Sequence, residues 1–113
     1  MGKHKSEANA DAIARLEGVI AKRRTADPRK SYVAKINARG RGKMACKLGE
    51  EATEVVVAAL TEGREALVGE AADLIFHLLM ILGDRDVKFA DVIAELESRE
   101  GISGLTEKAA RKG

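Results

Sequence analysis

The chain has 113 residues, enough for one domain, and a 45% hydrophobic content that permits a packed core and excludes wholesale disorder. A single cysteine, Cys46, excludes an internal disulfide framework, and only three aromatic residues, Tyr32, Phe76 and Phe89, leave few platforms for stacking single-stranded nucleic acid. The net charge of +2 hides an uneven distribution: residues 1–47 carry +9, residues 48–73 carry −6 and residues 74–113 carry −1.

The elements read as helices throughout. The first is predicted over Ala8–Arg24, where Ile13, Leu16, Val19 and Ile20 form one stripe. Asp27-Pro28 is a favourable cap and first-turn pair, so the second helix is predicted from Pro28 to Arg39, ending at Gly40. The third is predicted over Gly42–Glu62, with Gly63 as a C′ residue. Its Met44, Leu48, Ala52, Val55 and Ala59 fall on one stripe, and Lys43, Lys47, Glu50, Glu51 and Glu54 gather on another face. The fourth is predicted over Arg64–Asp84 and is apolar almost all round, apart from Glu70, Asp73 and His77 on one side. A helix of that kind needs cover on several faces, which one small domain supplies poorly. It is therefore expected at the centre of a bundle completed by a second subunit. The fifth is predicted over Phe89–Arg99, capped near Lys88, and a last short turn over Leu105–Arg111. Residues 1–7 and 112–113 are expected to be flexible.

The longest apolar stretch, Leu74–Leu82, is interrupted by His77 and short for a bilayer span, and the N-terminus MGKHKSEANAD lacks an apolar targeting segment. A cytoplasmic protein without membrane contact is the expectation. Cys46 reads as a small packed residue, His77 as a buried histidine with one nitrogen satisfied, and Arg23 and Arg24 as a solvated helix end. Tyr32 reads as packing near the acidic face.

The turn at Gly63 makes the third and fourth helices antiparallel. At about 1.5 Å rise per residue, Glu54 matches Glu70 in height, and Glu51 matches Asp73. Two acidic pairs at i, i+3 spacing then face each other. Four facing carboxylates repel unless neutralised, and an all-oxygen cluster suits Mg²⁺ or Mn²⁺, ions that in turn suit a polyphosphate substrate. The bland reading is a solvated acidic face paired with Lys43 and Lys47. A di-iron bundle is disfavoured, because the position after Glu70 that such a site fills with histidine is Asp73.

Glu50-Glu51-Ala52-Thr53-Glu54 followed by Glu70-Ala71-Ala72-Asp73 resembles the EExxE…ExxD signature of the all-α, MazG-like nucleotide pyrophosphohydrolases. Three longer stretches narrow the resemblance to the phosphoribosyl-ATP pyrophosphatases of histidine biosynthesis: Arg23 to Lys35, Gly40 to Glu51, and Glu70 to Leu79, with Ser103 to Ala109 in support. The resemblance implies an all-α bundle of about five helices, one domain over residues 1–113, a dimer, and a stand-alone form without the cyclohydrolase domain fused in some members. It implies hydrolysis of phosphoribosyl-ATP to phosphoribosyl-AMP and pyrophosphate, with Glu51, Glu54, Glu70 and Asp73 as Mg²⁺ ligands.

Glu50, beside those ligands, is the candidate base for an attacking water. Lys43, Lys47 and Lys35 are candidates for phosphate contacts; Lys47 either meets a phosphate oxygen or pairs with Glu51. Arg23 and Arg24 are alternatively placed to reach the second ribose, and Lys108 to fold over the site from the tail. Two other readings stand beside this one: a house-cleaning hydrolase of nucleoside triphosphates, and a nucleic-acid binder using the +9 segment. The adjoining acidic patch and the scarcity of aromatics weigh against the second.

Overall fold

A computed structural model describes residues 2–100, with side chains from residue 12 onward. The described residues form five helices and no strand: α1 (Gly2–Arg23), α2 (Tyr32–Arg39), α3 (Arg41–Thr61), α4 (Arg64–Asp84) and α5 (Phe89–Ser98). The expected all-α architecture and its five helices are borne out. The expected turn over Leu105–Arg111, and Lys108 with it, lie outside the described residues. Helix α1 begins at Gly2 rather than Ala8, taking in the segment expected to be loose.

Helix α2 starts four positions later than predicted, for a local reason. The Asp27 carboxylate accepts from the Arg29 backbone N–H at 2.9 Å and pairs with the Arg29 guanidinium. The Asp27 carbonyl accepts from Lys30 and Ser31. Asp27 thus closes a turn on itself. The N-cap role passes to Ser31, whose Oγ accepts from the Ala34 N–H at 3.2 Å.

Two glycines punctuate the chain differently. Gly40, between α2 and α3, has φ +91°, a conformation costly for any residue with a Cβ. Gly63 has φ −86° and ψ 177°, so it is not the left-handed C′ residue expected of it. It is the extended N-cap position of α4, and with extended Glu62 it makes a two-residue link. That link folds α4 back along α3, and this hairpin is the most extensive helix pairing in the protein.

Helices α1 and α2 pack against the hairpin, α1 on α4 and α2 on α3. Ile20, Val33, Ile36, Met44, Leu79 and Met80 form the core, with Ile13, Leu16, Phe76, Ile81 and Phe89 packed against it. Polar ties hold the periphery. The Asp84 carboxylate at the end of α4 receives Arg24 at 3.3 Å and Arg41 at 2.5 Å, so Arg24 is an inter-helix tie rather than a solvated end. The Glu17 carboxylate on α1 accepts from the Phe89 N–H at 2.8 Å, capping α5 from a distant helix, while Lys88 supplies only the cap backbone.

The core covers α3 and α4 unevenly. Of the predicted α3 stripe Met44 is buried and Leu48 and Val55 are half-buried, but Ala52 and Ala59 are exposed. Val56, Val57, Leu60, Val68 and Ile75 are exposed as well, Leu60 at 79%. Cys46, expected to be packed, is also exposed. By length and composition α4 is apolar enough to cross a membrane, contrary to the expectation from its longest unbroken apolar run. Yet α4 carries Glu70 and Asp73 in its middle and buries His77, Leu79 and Met80 in the core, which is how a bundle helix with one face awaiting cover is built.

The two glycines make a paired prediction for chemical unfolding. Gly40→Ala should cost about 1–2 kcal/mol of stability, because Ala must adopt positive φ. Gly63→Ala meets nothing within 4 Å at an ordinary φ and should be neutral or stabilising by up to ~1 kcal/mol. Equal losses at both positions would contradict the conformations described.

Candidate functional site

The α3–α4 hairpin brings three of the four predicted metal-ligating carboxylates together. One oxygen from each of Glu51, Glu70 and Asp73 lies within 4.8 Å of the others. Glu51 and Glu70 are half-buried between the helices, and Asp73 is exposed. Among the described residues, these three hard oxygen donors are the group able to hold a divalent cation. Glu54, one turn along α3, is exposed and remains outside the group, since a carboxylate on the solvent side has no reason to approach three others. It is close to Glu70 nonetheless. The Glu70 pKa is raised above the ordinary carboxylate range, first by partial burial and then by the charges of Glu54, Asp73, Glu51 and Glu62.

The basic side of the site lies one to two turns earlier on α3. Lys47 Nζ binds Glu50 Oε2 at 2.9 Å, so its partner is Glu50 at i, i+3 rather than Glu51 at i, i+4. The pair lowers the Glu50 pKa, chiefly through the hydrogen bond from Lys47, with Lys43 contributing from the preceding turn. It raises the Lys47 pKa for the same reason. A carboxylate held as an anion by an ammonium group is a weakened proton acceptor, which works against Glu50 as a base while the pair is intact. Lys43 is half-buried on the same helix. Lys35 is an exposed side chain of α2 and makes no hydrogen bond or ion pair with the cluster.

One feature of the site escaped sequence reasoning. His77, only 6% exposed, has both ring nitrogens engaged, not one. Nδ1 lies 2.7 Å from the Asp73 backbone carbonyl, and Nε2 lies 2.8 Å from the Tyr32 hydroxyl. Tyr32 is half-exposed, and Lys47, Glu51, Glu50 and Asp73 all act on its hydroxyl electrostatically. Burial is the larger influence and raises its pKa. The i, i+4 spacing of Asp73 and His77 was a visible signal of the first contact; nothing local signals the second.

An apolar groove of about 530 Å³ between α1 and α5, lined by Ile13, Ala14, Phe89 and Ile93 with Glu17 and Glu97, shares no residue with the cluster. The acidic site is an open, charged face of a helix hairpin.

An antiparallel helix hairpin that concentrates carboxylates on one face, in an otherwise small all-helical domain, defines an α-helical protein of the acidic-hairpin type. The comparisons with known proteins narrow this. Residues 13–100 match the phosphoribosyl-ATP pyrophosphohydrolase family, and the chain belongs to that family. A phosphoribosyl-ATP pyrophosphatase of Novosphingobium aromaticivorans is 59% identical over 103 residues, covering 91% of this chain and 96% of that one. Relatives of the same name from Erythrobacter litoralis and Agrobacterium fabrum are 61% identical over 101 residues and 50% identical over 103. They cover 89% and 91% of this chain, and 97% and 96% of their own.

The raised pKa of Glu70 sets a direction for stability. Without a divalent ion, the protonated carboxyl is favoured in the folded state, so its contribution is present at low pH and lost as pH rises through the raised pKa. Glu70→Gln should therefore raise the melting temperature of the metal-free protein at neutral pH. The gain should disappear in acid, where Glu70 is already neutral. A melt series in EDTA across pH measures it.

Proposed function

We propose that the chain is a Mg²⁺-dependent phosphoribosyl-ATP pyrophosphohydrolase, cleaving phosphoribosyl-ATP to phosphoribosyl-AMP and pyrophosphate as a cytoplasmic step of histidine biosynthesis. The observation that carries it is the convergence of Glu51, Glu70 and Asp73 within 4.8 Å in a member of this family. The donor set fits the ion: it is all oxygen, and ligands at ~2.0–2.1 Å from Mg²⁺ would place neighbouring oxygens about 3 Å apart, a small side-chain adjustment from the arrangement described. The raised Glu70 pKa supports the same reading, because the cluster carries more negative charge than it neutralises.

Bound there, Mg²⁺ or Mn²⁺ would offset the charge on triphosphate oxygens and on the departing pyrophosphate. The chain's own residues do the rest. Glu51, Glu70 and Asp73 would hold the ion, with Glu54 available from the next turn. Lys47 and Lys43 face the phosphate charge left over, and Lys35 on α2 meets a more distant phosphate. Engagement of Lys47 by a phosphate oxygen would free Glu50 from its ion pair and return its pKa toward the ordinary carboxylate value. Glu50 would then be a better acceptor for the proton of a water lined up with the scissile bond.

A second copy of the chain completes the bundle in this proposal. Val56, Leu60, Val68 and Ile75 form an exposed apolar surface on the hairpin, which a homodimer would bury. Such burial also accounts for the apolar character of α4 without a membrane.

With phosphoribosyl-ATP and Mg²⁺ the expected product is pyrophosphate, not orthophosphate, and EDTA should abolish its release. Glu51→Gln and Asp73→Asn should each lower kcat/KM by more than about 100-fold, since even outer-shell partners of a metal site are worth ~10–100-fold. Turnover of canonical dNTPs with equal or higher kcat/KM would move the reading to a general nucleoside triphosphate pyrophosphohydrolase. Leu60→Asp should shift the protein from dimer to monomer in light scattering coupled to size exclusion; a wild-type monomer would overturn the dimer.

A further inference from the structure

The chain has three aromatic residues, and two of them surround His77. Tyr32 and Phe76 each meet the imidazole edge-on, with centroids 5.6 Å away in both cases and interplanar angles of 84° and 78°. The ring is thus held between two others and cannot rotate freely. Its hydrogen bonds define its chemistry. A backbone carbonyl can only accept, so Nδ1, facing the Asp73 carbonyl, carries the proton. In the neutral ring Nε2 then has a lone pair, and the Tyr32 hydroxyl donates to it.

Packing alone does not explain this arrangement. His77 occupies a core position beside Leu79 and Met80, where an aliphatic side chain would avoid the cost of burying two polar nitrogens. Tyr32 is 44% exposed, so the burial of its ring is not what places it there. Meanwhile, among the described residues, no side chain donates a hydrogen bond to the exposed Asp73 carboxylate. Asp73 lies inside α4, where the helix already holds its backbone; the imidazole adds a side-chain bond to that carbonyl and links the turn that carries the carboxylate to Tyr32 on α2.

We infer that Tyr32 and His77 are a positioning pair for the carboxylate site: the Tyr32 hydroxyl orients the imidazole, and the imidazole holds the Asp73 backbone, so that Asp73 is aimed at Glu51 and Glu70. The inference rests on reading those three carboxylates as a divalent-cation site, and it assigns to α2 the task of bracing a ligand on α4. The logic is that of outer-shell partners in metal sites, which orient ligands without touching the ion.

The test uses Mn²⁺ alone as probe, titrated into the metal-free full-length protein and followed by the loss of its free-ion EPR signal. Tyr32→Phe keeps the ring contacts and removes only the hydroxyl. It should weaken Mn²⁺ binding on the order of 10-fold while the protein still melts in one transition. His77→Leu, which removes both the acceptor for Tyr32 and the donor to the Asp73 carbonyl, should weaken it by a similar factor. The double variant should be no worse than the weaker-binding single one, because both act through the same link. Wild-type affinity in both single variants, with only the melting temperature lowered, would show the pair to be structural and overturn the inference. Failure of the wild type itself to bind Mn²⁺ would overturn the cation-site reading, and this inference with it.

Discussion

The register of α4 against α3 is the constraint on which the remainder depends. Two extended residues, Glu62 and Gly63, leave no slack between the helices, so the second must run back directly along the first. Once that is so, helical rise sets Glu51 level with Asp73, and the rotation of the two helices brings Glu70 to the same group. The arrangement is unfavourable for an isolated domain. Like charges are brought together, and partial burial, followed by the charges of Glu54, Asp73, Glu51 and Glu62, raises the Glu70 pKa. Hydrophobic contacts must stabilise it, chiefly the cluster of Ile20, Val33, Ile36, Met44, Leu79 and Met80. The divalent cation proposed for this site would offset that charge.

The uneven charge of the chain follows from the same hairpin. The −6 segment is the C-terminal part of α3, the link and the first half of α4. The last residues of the +9 segment are the first turns of α3, so Lys43 and Lys47 stand beside the acids on one helix. The Lys47–Glu50 bond keeps an ammonium group at the edge of the carboxylate cluster. Its partner is more than half exposed, and such pairs are worth little in stability. Exchange of that partner for a phosphate oxygen would therefore cost little, which suits the phosphate-binding role proposed for Lys47. Other basic residues of the segment have structural employment instead: Arg24 and Arg41 converge on Asp84 and tie α1 and α3 to the end of α4.

Much of this was legible in the sequence, because helical periodicity and the i, i+3 acidic spacing are local. The bounds of α4 were read to the residue, and the carboxylate face followed from counting residues on either side of Gly63. The departures have a common cause. Asp27-Pro28 looks like a helix start, but Asp27 has a nearer donor in Arg29, and the decision between them depends on side-chain conformation. The exposure of Cys46, the Glu17 cap on α5 and the Tyr32–His77 bond depend on which helices meet, and periodicity is silent on that. Glu54 matched Glu70 in height, yet height is only one coordinate: rotation about the axis leaves its carboxylate toward solvent.

Helix α4 shows how one element answers two demands. Its acidic side must face α3 and open water, while its apolar sides must be covered. The protomer covers one of them, through His77, Leu79 and Met80, and leaves Val68 and Ile75 exposed. A bilayer would cover these but would also submerge Glu70 and Asp73, at a cost of roughly 2.5–3.5 kcal/mol for a carboxylate such as Asp at mid-span. In the proposed dimer a second copy of the chain would cover the apolar residues and leave the acids in water, at the open face where a soluble polyphosphate could approach. The acids that make α4 a poor membrane helix thus favour protein over lipid as the cover for its remaining apolar face.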